Sequence, residues 1–325
     1  MILVVGGAGY IGSHFAKLLR KKGLDHVVLD NLLTGHKEAL GDSPFLHADM
    51  REPQEIFEAV AEVSPTLVVH FGALSLVGES VSAPDLYWQN NVSGTLHLCQ
   101  AMRASGCQKL IFSSTAAVYG DPISDLIDED HPKNPTSTYG DTKLAVETML
   151  SNMDRAYGFK SVCLRYFNAA GADSEGELGE DHNPESHLIP RAILAILGKV
   201  PPLVIFGTDY PTPDGTCLRD YIHVEDLASA HLLAAEHLLH DGDSRRYNLG
   251  TGAGFSVREV VEMVGKVAGT PVPCTDGDRR AGDPARLVAS SARVQKDWGW
   301  KPERSGLEDM VRDAWNWLSK NPDGY

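Results

Sequence analysis

The sequence predicts an α/β fold: a doubly wound parallel sheet of the Rossmann type, with a second, smaller α/β domain. Two observations support this prediction. Short apolar strands alternate with amphipathic helical stretches through the first half of the chain, as they do in parallel sheets. The first strand also leads directly into a glycine-rich turn and a helix. We expect a first domain over 1–168, with 221–249 returning to it, and a smaller domain over 169–220 and 250–325.

The glycine-rich turn is predicted to hold the pyrophosphate of a dinucleotide. It lies between a buried strand at 1–5 and a helix at 13–22. Glycines at this spacing allow a tight turn, close approach of the backbone to a phosphate, and close packing of helix on strand. The N–H groups that open the helix attract an anion. The expected contacts are Gly6, Gly9, Tyr10, Ile11 and Gly12.

Asp30 follows the second predicted strand, at 26–29. A carboxylate about 20 residues past the glycines can accept hydrogen bonds from both adenosine ribose hydroxyls and repels a 2′-phosphate. An aspartate that caps a helix or a turn is the alternative, and the spacing favours the ribose role. The sequence therefore predicts NAD, and not NADP, as the cofactor.

Further strand–helix units complete the predicted sheet. Strands are predicted at 45–47, 67–71, 110–113, 162–167 and 247–249, and helices at 53–63, 84–104, 139–157, 188–198 and 226–240. Asp49 and Met50 follow the third strand and are expected to meet the adenine. Phe71, Gly72 and Ala73 follow the fourth strand and are expected on the pyrophosphate side.

Tyr139 and Lys143 lie four residues apart, one turn from each other on the same face of the predicted helix. An ammonium held near a phenol favours the phenolate, which can remove the proton of a substrate hydroxyl. The same spacing also suits a solvated surface helix. The surrounding strands and the glycine turn favour the catalytic interpretation.

Composition limits the partners. The net charge of −15 argues against nucleic acid and against an anionic membrane surface. The five cysteines are scattered and lack a C-x-x-C pair, which indicates reduced thiols and no zinc motif. The histidines form no metal-binding pattern, so no metal is expected. The chain opens directly on a strand and carries no membrane-spanning run, which predicts a cytoplasmic protein.

Several longer motifs add to this interpretation. They are Gly6-x-x-Gly9-x-x-Gly12, His70-Phe71-Gly72-Ala73, Val77-Gly78-Glu79-Ser80, Asn90-Asn91-Val92, Tyr139-x-x-x-Lys143, Arg165-Tyr166-Phe167-Asn168 and the run from Ile205 to Val224. On these motifs the whole chain resembles the extended short-chain dehydrogenase/reductase family, and within it the epimerases of nucleotide sugars. The resemblance implies further cofactor contacts from Asn31, Asn90, Phe167 and the Tyr139–Lys143 pair.

The resemblance also implies the reaction. Tyr139 would remove the proton of the sugar 4-hydroxyl, with Thr115 hydrogen-bonded to that hydroxyl, while hydride leaves C4 for NAD. Lys143, with the positive nicotinamide nearby, would lower the pKa of the tyrosine and hold the ribose. The 4-keto sugar would then turn over and take the hydride back, which interconverts UDP-glucose and UDP-galactose.

A set of side chains is expected to bind the UDP-sugar. It comprises Thr115, Tyr139, Asn168, His187, Leu188, Val204, Phe206, Arg219, Arg280, Asp283 and Leu287. Arg219 and Arg280 would clamp the diphosphate, because a planar guanidinium suits two phosphate oxygens. Phe206 would pack along the uridine, and Asp283 would meet its ribose. Surface ion pairs are the alternative for the arginines, and core packing is the alternative for Phe206.

Three positions depart from the pattern of some family members: Ser75 replaces a lysine, His187 an asparagine and Leu287 a tyrosine that narrows the sugar pocket. Leu287 is therefore expected to admit N-acetylated sugars, and epimerases of UDP-N-acetylhexosamines or UDP-uronic acids stay open as alternatives. A dehydratase is disfavoured, because Ala116 and Ala117 stand where it needs an acid and a base.

Two further expectations concern a scaffold role and assembly. A non-catalytic NAD-binding sensor would have no reason to keep Thr115, Tyr139 and Lys143 together. The helices at 84–104 and 139–157 resemble those that pair in family homodimers as a four-helix bundle. Apolar contacts would come from Leu96, Leu98, Met102, Met149 and Met153, unless the core uses them.

Overall fold

The computed structural model describes residues 1–280 and 283–325, which form two compact units. The first comprises Met1–Gly120, Pro132–Arg165 and Ala228–Tyr247. The second comprises Asp121–His131, Tyr166–Leu227 and Asn248–Tyr325. Of the residues expected in the first domain, the stretches at 121–131, 166–168, 221–227 and 248–249 lie in the second unit.

The described residues form fourteen strands. They are β1 Ile2–Val5, β2 His26–Asp30, β3 Phe45–His47, β4 Leu67–His70, β5 Lys109–Thr115, β6 Lys160–Tyr166, β7 Asn168–Ala170, β8 Leu203–Phe206, β9 Leu218–Arg219, β10 Tyr221–His223, β11 Arg245–Leu249, β12 Phe255–Ser256, β13 Cys274–Gly277 and β14 Arg286–Leu287. Seven of them form one sheet in the order β11-β6-β5-β4-β1-β2-β3. The neighbouring pairs β1–β2, β1–β4, β2–β3 and β4–β5 are parallel, which confirms the predicted fold class.

The α-helices alternate with these strands. They are α1 Tyr10–Lys21, α2 Pro53–Val63, α3 Val77–Ser82, α4 Pro84–Tyr87, α5 Gly94–Ala104, α6 Thr138–Tyr157, α7 Leu188–Ile196, α8 Val224–Leu239, α9 Val257–Ala268, α10 Ala292–Trp298 and α11 Leu307–Leu318. The stretch predicted to be helical at 84–104 is helical throughout, with α4 and α5 joined by a π-helix at Trp88–Ser93. None of the described helices combines the length and apolarity that a bilayer crossing requires.

Local chemistry sets the ends of the helices. Pro53 opens α2, at a position where its missing N–H would be unpaired in any case. The hydroxyl of Ser137 accepts the N–H of Gly140 at the start of α6, and Gly158 ends this helix in the left-handed conformation. The cap at Ser137 places Tyr139 in the first turn of α6.

Each unit has its own apolar core. In the first unit, residues of β1, β4 and β5 pack against α2, α5 and α6, and Leu98 and Met102 are fully buried there. These two residues therefore serve the core and not a surface contact, whereas Leu96 stays 38% exposed. In the second unit, residues of α7, α9 and α11, including the buried Trp317 of α11, form the core.

Candidate active site

The glycine turn after β1 is tightly built. Gly6 adopts a positive φ of 73°, and a Cβ there would lie 2.2 Å from the backbone nitrogen of Gly72. A Cβ on Gly12 would lie 2.3 Å from the carbonyl oxygen of Gly6. Gly9, which has no side chain to offer as a cap, precedes α1. The N-terminal end of α1, which has no side-chain cap, carries the partial positive charge that attracts an anion.

Asp30 ends β2 and is 8% exposed. Its Oδ2 accepts the N–H of Ala8 at 3.0 Å and its Oδ1 the N–H of Leu32 at 2.8 Å. Burial raises the pKa of this carboxyl above its usual value, although the backbone hydrogen bonds oppose the effect. A carboxylate has about four acceptor positions, so Asp30 can still accept from a ribose. These residues fit a dinucleotide.

Asn31 and Asp49 lie beside each other just past the ends of the neighbouring strands β2 and β3. Asn31 Nδ2 donates to Asp49 Oδ2 at 2.9 Å. The guanidinium of Arg51 hydrogen-bonds Asp49 and holds the pKa of its carboxyl well below the usual range. Met50 is buried against Gly72. The predicted adenine and pyrophosphate contacts thus lie next to one another at the ends of their strands.

The three residues predicted to be catalytic come together in the first unit. Thr115 is the last residue of β5, and its side chain hydrogen-bonds Tyr139. Lys143 is buried and its Nζ donates to the carbonyl oxygen of Ser113 at 2.9 Å. The same ammonium lies 5.8 Å from the centre of the Tyr139 ring and 4.8 Å from that of Phe112. Lys143 is buried and Tyr139 half-buried, so the pair does not lie on a solvated helix face.

Burial dominates the protonation of this pair. It raises the pKa of Tyr139 to about 12, against the hydrogen bond from Thr115. It lowers the pKa of Lys143 to about 7, against the charge of Glu147. In the protein alone, burial therefore outweighs the lowering of the tyrosine pKa that we expected from Lys143.

A second layer, which the sequence analysis missed, lies directly behind Lys143. Glu147 follows Lys143 by one helical turn, and Arg165 Nε donates to its Oε1 at 2.8 Å. Ser114 Oγ donates to the same oxygen at 2.6 Å. Arg165 Nη1 donates to the hydroxyl of Tyr119 at 2.8 Å. The sequence did contain a signal for Glu147: it follows Lys143 by four residues, as Lys143 follows Tyr139, so all three lie on one face of α6.

Two more polar residues fix the start of α6. The N–H of Tyr139 donates to Ser80 Oγ at 3.1 Å. Asn91 accepts the N–H of Leu74 at 2.9 Å and donates to Thr142 Oγ1 at 3.2 Å. Asn90, a predicted cofactor contact, is buried and donates to Asn91 Oδ1 at 3.0 Å.

The second unit contains a cavity of about 440 Å³. Most of the predicted substrate residues line it, namely Asn168, His187, Leu188, Val204, Phe206, Arg219, Arg280 and Asp283. Thr115 and Tyr139 belong to the first unit. Leu287 is not among the described residues that line this cavity, and its carbonyl accepts the N–H of Asp220 at 3.0 Å.

Asp283 joins the two arginines of this cavity. Arg280 Nε donates to Asp283 Oδ2 at 2.9 Å, and Arg219 Nη2 approaches Oδ1 at 3.4 Å. Arg219 Nη1 also donates to the carbonyl oxygen of Pro284 at 2.8 Å. The guanidinium of Arg280 lies 4.9 Å from the centre of the Phe206 ring. Phe206 is 40% exposed, which excludes the core-packing alternative, and two cations facing one carboxylate suit an anionic ligand.

Comparison with known proteins decides the family, because residues 2–250 match the NAD dependent epimerase/dehydratase family. The chain belongs to this family. Within the family, the chain is 52% identical over 324 residues to a UDP-glucose 4-epimerase of Halalkalibacterium halodurans, covering 100% of this chain and 97% of that protein.

Solved structures of family members agree. The UDP-glucose 4-epimerase of Brucella ovis, solved in complex with NAD, superimposes with a TM-score of 0.95 at 49% identity and 97% coverage of both chains. The UDP-glucose 4-epimerase of Bifidobacterium longum, in complex with NAD⁺ and UDP, has a TM-score of 0.94 at 38% identity. It covers 100% of this chain and 99% of that chain.

Proposed function

We propose that this chain is an NAD-dependent UDP-glucose 4-epimerase, which interconverts UDP-glucose and UDP-galactose. The observation that carries the proposal is the group of Thr115, Tyr139 and Lys143, in which the threonine and the lysine are buried and the tyrosine is half-buried. It occurs in a chain that is similar to UDP-glucose 4-epimerases over its full length. A scaffold that only binds a dinucleotide would not need such an acid–base pair.

The turn after β1 and the end of β2 would hold the cofactor. The N–H groups of α1 would bind the pyrophosphate, and Asp30 would accept hydrogen bonds from the adenosine ribose. The tight contacts of Gly6 and Gly12 support this role, because side chains there would fill the cradle. Bound NAD supplies a hydride acceptor that returns the hydride within the same turnover.

Tyr139 would act as the general base on the sugar 4-hydroxyl, and Thr115 would share the hydrogen bond. Burial keeps the phenol protonated in the protein alone. A positive charge brought near it favours the phenolate, so the base would become active only in the loaded protein. The proton held on Tyr139 would then return when the 4-keto sugar is reduced on its other face.

The cavity of the second unit would bind the uridine diphosphate. Arg219 and Arg280 already share the carboxylate of Asp283, and a diphosphate would take over part of these contacts. A guanidinium can meet two phosphate oxygens at once. The exposed ring of Phe206 offers a flat apolar surface for the uracil base.

Incubation of the purified protein with UDP-glucose tests the proposal. Because hydride is returned in each turnover, UDP-galactose should form without added NAD. A panel with UDP-N-acetylglucosamine and UDP-glucuronic acid should show lower kcat/KM than UDP-glucose. If no UDP-sugar is converted even with NAD supplied, the proposed function is wrong.

We further propose a homodimer located in the cytoplasm. A groove of about 660 Å³ on the first unit is lined along α6 by Leu144, Met149 and Met153, together with Trp88. Trp88 is 42% exposed, as a residue at a subunit contact would be in a single chain. The five free cysteines fit a reducing compartment. Light scattering of the purified protein tests the dimer.

A further inference from the structure

Two histidines and two glutamates meet in the loop between β7 and α7, within the second unit. They are Glu180, His182, Glu185 and His187, and one ligand atom of each lies within 4.8 Å of all the others. The sequence analysis expected no metal here, because the spacing of these residues matches none of the familiar motifs. The loop conformation brings them together.

The four donor atoms are close enough together to surround one metal ion, although the shortest separations are ion-pair distances. Glu180 Oε1 lies 2.6 Å from His187 Nδ1 and 3.1 Å from His182 Nδ1. Oxygens of Glu185 lie 3.4 and 3.6 Å from the same two nitrogens. Donor atoms around a tetrahedral Zn²⁺, with bonds of about 2.0–2.1 Å, are separated by about 3.3 Å. The observed separations lie on both sides of that value.

Glu180 provides an independent indication. The residue is only 4% exposed. Among the described residues its Oε1 has no hydrogen bond of normal geometry, and its partners are the imidazoles of His187 and His182, in ion pairs at 2.6 and 3.1 Å. A buried carboxylate needs such positive charge beside it. A cation at the centre of the four donors would satisfy it.

Glu185 is held in orientation by the backbone. Its Oε1 accepts the N–H of Ser186 at 2.6 Å and that of His187 at 2.7 Å. Hydrogen bonds of this kind fix the ligands of metal sites. Two neutral imidazoles and two carboxylates balance the charge of one divalent ion, and the mixed nitrogen–oxygen set suits zinc better than magnesium or calcium.

We propose that Glu180, His182, Glu185 and His187 bind one zinc ion. Four protein ligands make the site closed, which is typical of structural zinc. The ion fastens the loop that ends at α7, and this loop supplies Glu185 and His187 to the wall of the cavity. The site takes no part in hydride transfer, and the proposal does not depend on the proposed activity.

Metal analysis of the purified, tag-free protein tests the site. We expect about one zinc per chain after gel filtration. Titration of zinc into EDTA-treated protein should restore a content of about one zinc per chain. It should also raise Tm by several degrees, because the ion binds only the folded state. Cobalt in place of zinc should give the intense visible absorption of a four-coordinate ion.

Two variants remove single ligands with little change of shape, Glu180→Gln and His182→Gln. Each should lose the bound zinc and the zinc-dependent rise in Tm, and weaken zinc affinity by more than about 100-fold. The matched control is Glu175→Gln, in the nearby acidic group Asp173, Glu175 and Glu177 that has no imidazole. It should keep the wild-type zinc content.

Circular dichroism verifies that each variant is folded. If either ligand variant fails to fold, the zinc content of the wild-type protein and its titration with zinc decide whether the site binds the ion. The proposal is overturned if the wild-type protein contains no zinc and does not bind added zinc. The four residues would then form only an ion-pair cluster. Equal zinc content in the wild type and both ligand variants would overturn it as well.

Discussion

Arg165 holds Glu147 by two hydrogen bonds, from Nε at 2.8 Å and from Nη2 at 2.5 Å. Side-chain exposure is 0% for the arginine and 3% for the glutamate. The pair therefore lies in the interior, one helical turn behind Lys143. Its carboxylate opposes part of the effect that burial has on the pKa of Lys143.

Removing one partner of this pair should be costly. Glu147→Ala leaves the guanidinium of Arg165 buried and uncompensated, and we expect a loss of about 3–5 kcal/mol in the free energy of unfolding. Urea denaturation measures it. The matched control is Glu308→Ala, which breaks the exposed pair with Arg312 and should leave the midpoint almost unchanged. An equal loss of unfolding free energy in both variants would contradict the burial of the Glu147–Arg165 pair.

Tyr139→Phe removes only the ionisable hydroxyl. Folding and NAD content should persist, while kcat for UDP-glucose falls about 10²–10⁴-fold, the usual contribution of general acid–base catalysis. Tyr157→Phe, at the exposed end of the same helix, is the control and should retain full activity. Near-normal turnover in the Tyr139 variant would exclude it as the base.

Lys143 should make stability depend on pH. Burial lowers its pKa in the folded protein to about 7 from 10.5, so between these values the unfolded chain binds the extra proton. Stability should then rise with pH by up to about 1.4 kcal/mol per unit. Below pH 7 both states are protonated and the burial penalty is constant.

Lys143→Met removes this titration. In NAD-free protein, the variant should be more stable than the wild type at pH 6, and the difference should shrink as the pH rises towards 9. Urea denaturation at several pH values measures both proteins. Parallel curves would show that Lys143 does not titrate with a lowered pKa.

Asp30 should determine cofactor binding. Asp30→Asn removes the charge, and since a hydrogen bond to a charged group contributes about 1.5–3 kcal/mol, NAD affinity should fall about 10–100-fold. The NAD content of purified protein, released by acid and assayed, measures the change. Asp25→Asn, an exposed neighbour in sequence, should keep its NAD. Wild-type protein that carries mainly NADP would refute the ribose assignment.

Arg280 and Arg279 provide a matched pair for the diphosphate. Arg280 lies over Phe206 at the cavity, whereas Arg279 pairs with Asp209 and stacks on Tyr210. Arg280→Ala should raise KM for UDP-glucose about 10-fold or more, because it removes a charged contact to the ligand. Arg279→Ala should leave KM near the wild-type value. If KM rises in the Arg279 variant and not in the Arg280 variant, Arg279 is the residue that contacts the diphosphate.

Local sequence patterns predicted the sheet, the glycine turn and the approach of Tyr139 and Lys143, whereas the substrate residues were implied by the resemblance to the family. The strand at 45–47 and the helix at 53–63 were predicted with the bounds that the structure has, because local apolar patterns and a helix-starting proline define them. The approach of Tyr139 and Lys143 followed from helix geometry, and the glycine turn followed from a spacing that only a close backbone contact explains.

Tertiary structure decided what depends on neighbours distant in the chain. Leu98 and Met102 could not be assigned to the core or the surface until α5 was seen packed on the sheet. Arg165 could not be paired with Glu147, because a partner on another element leaves no periodic signal. The directions of the tyrosine and lysine pKa shifts also depended on the fold. A sequence shows which charges are present, but burial sets what each charge costs.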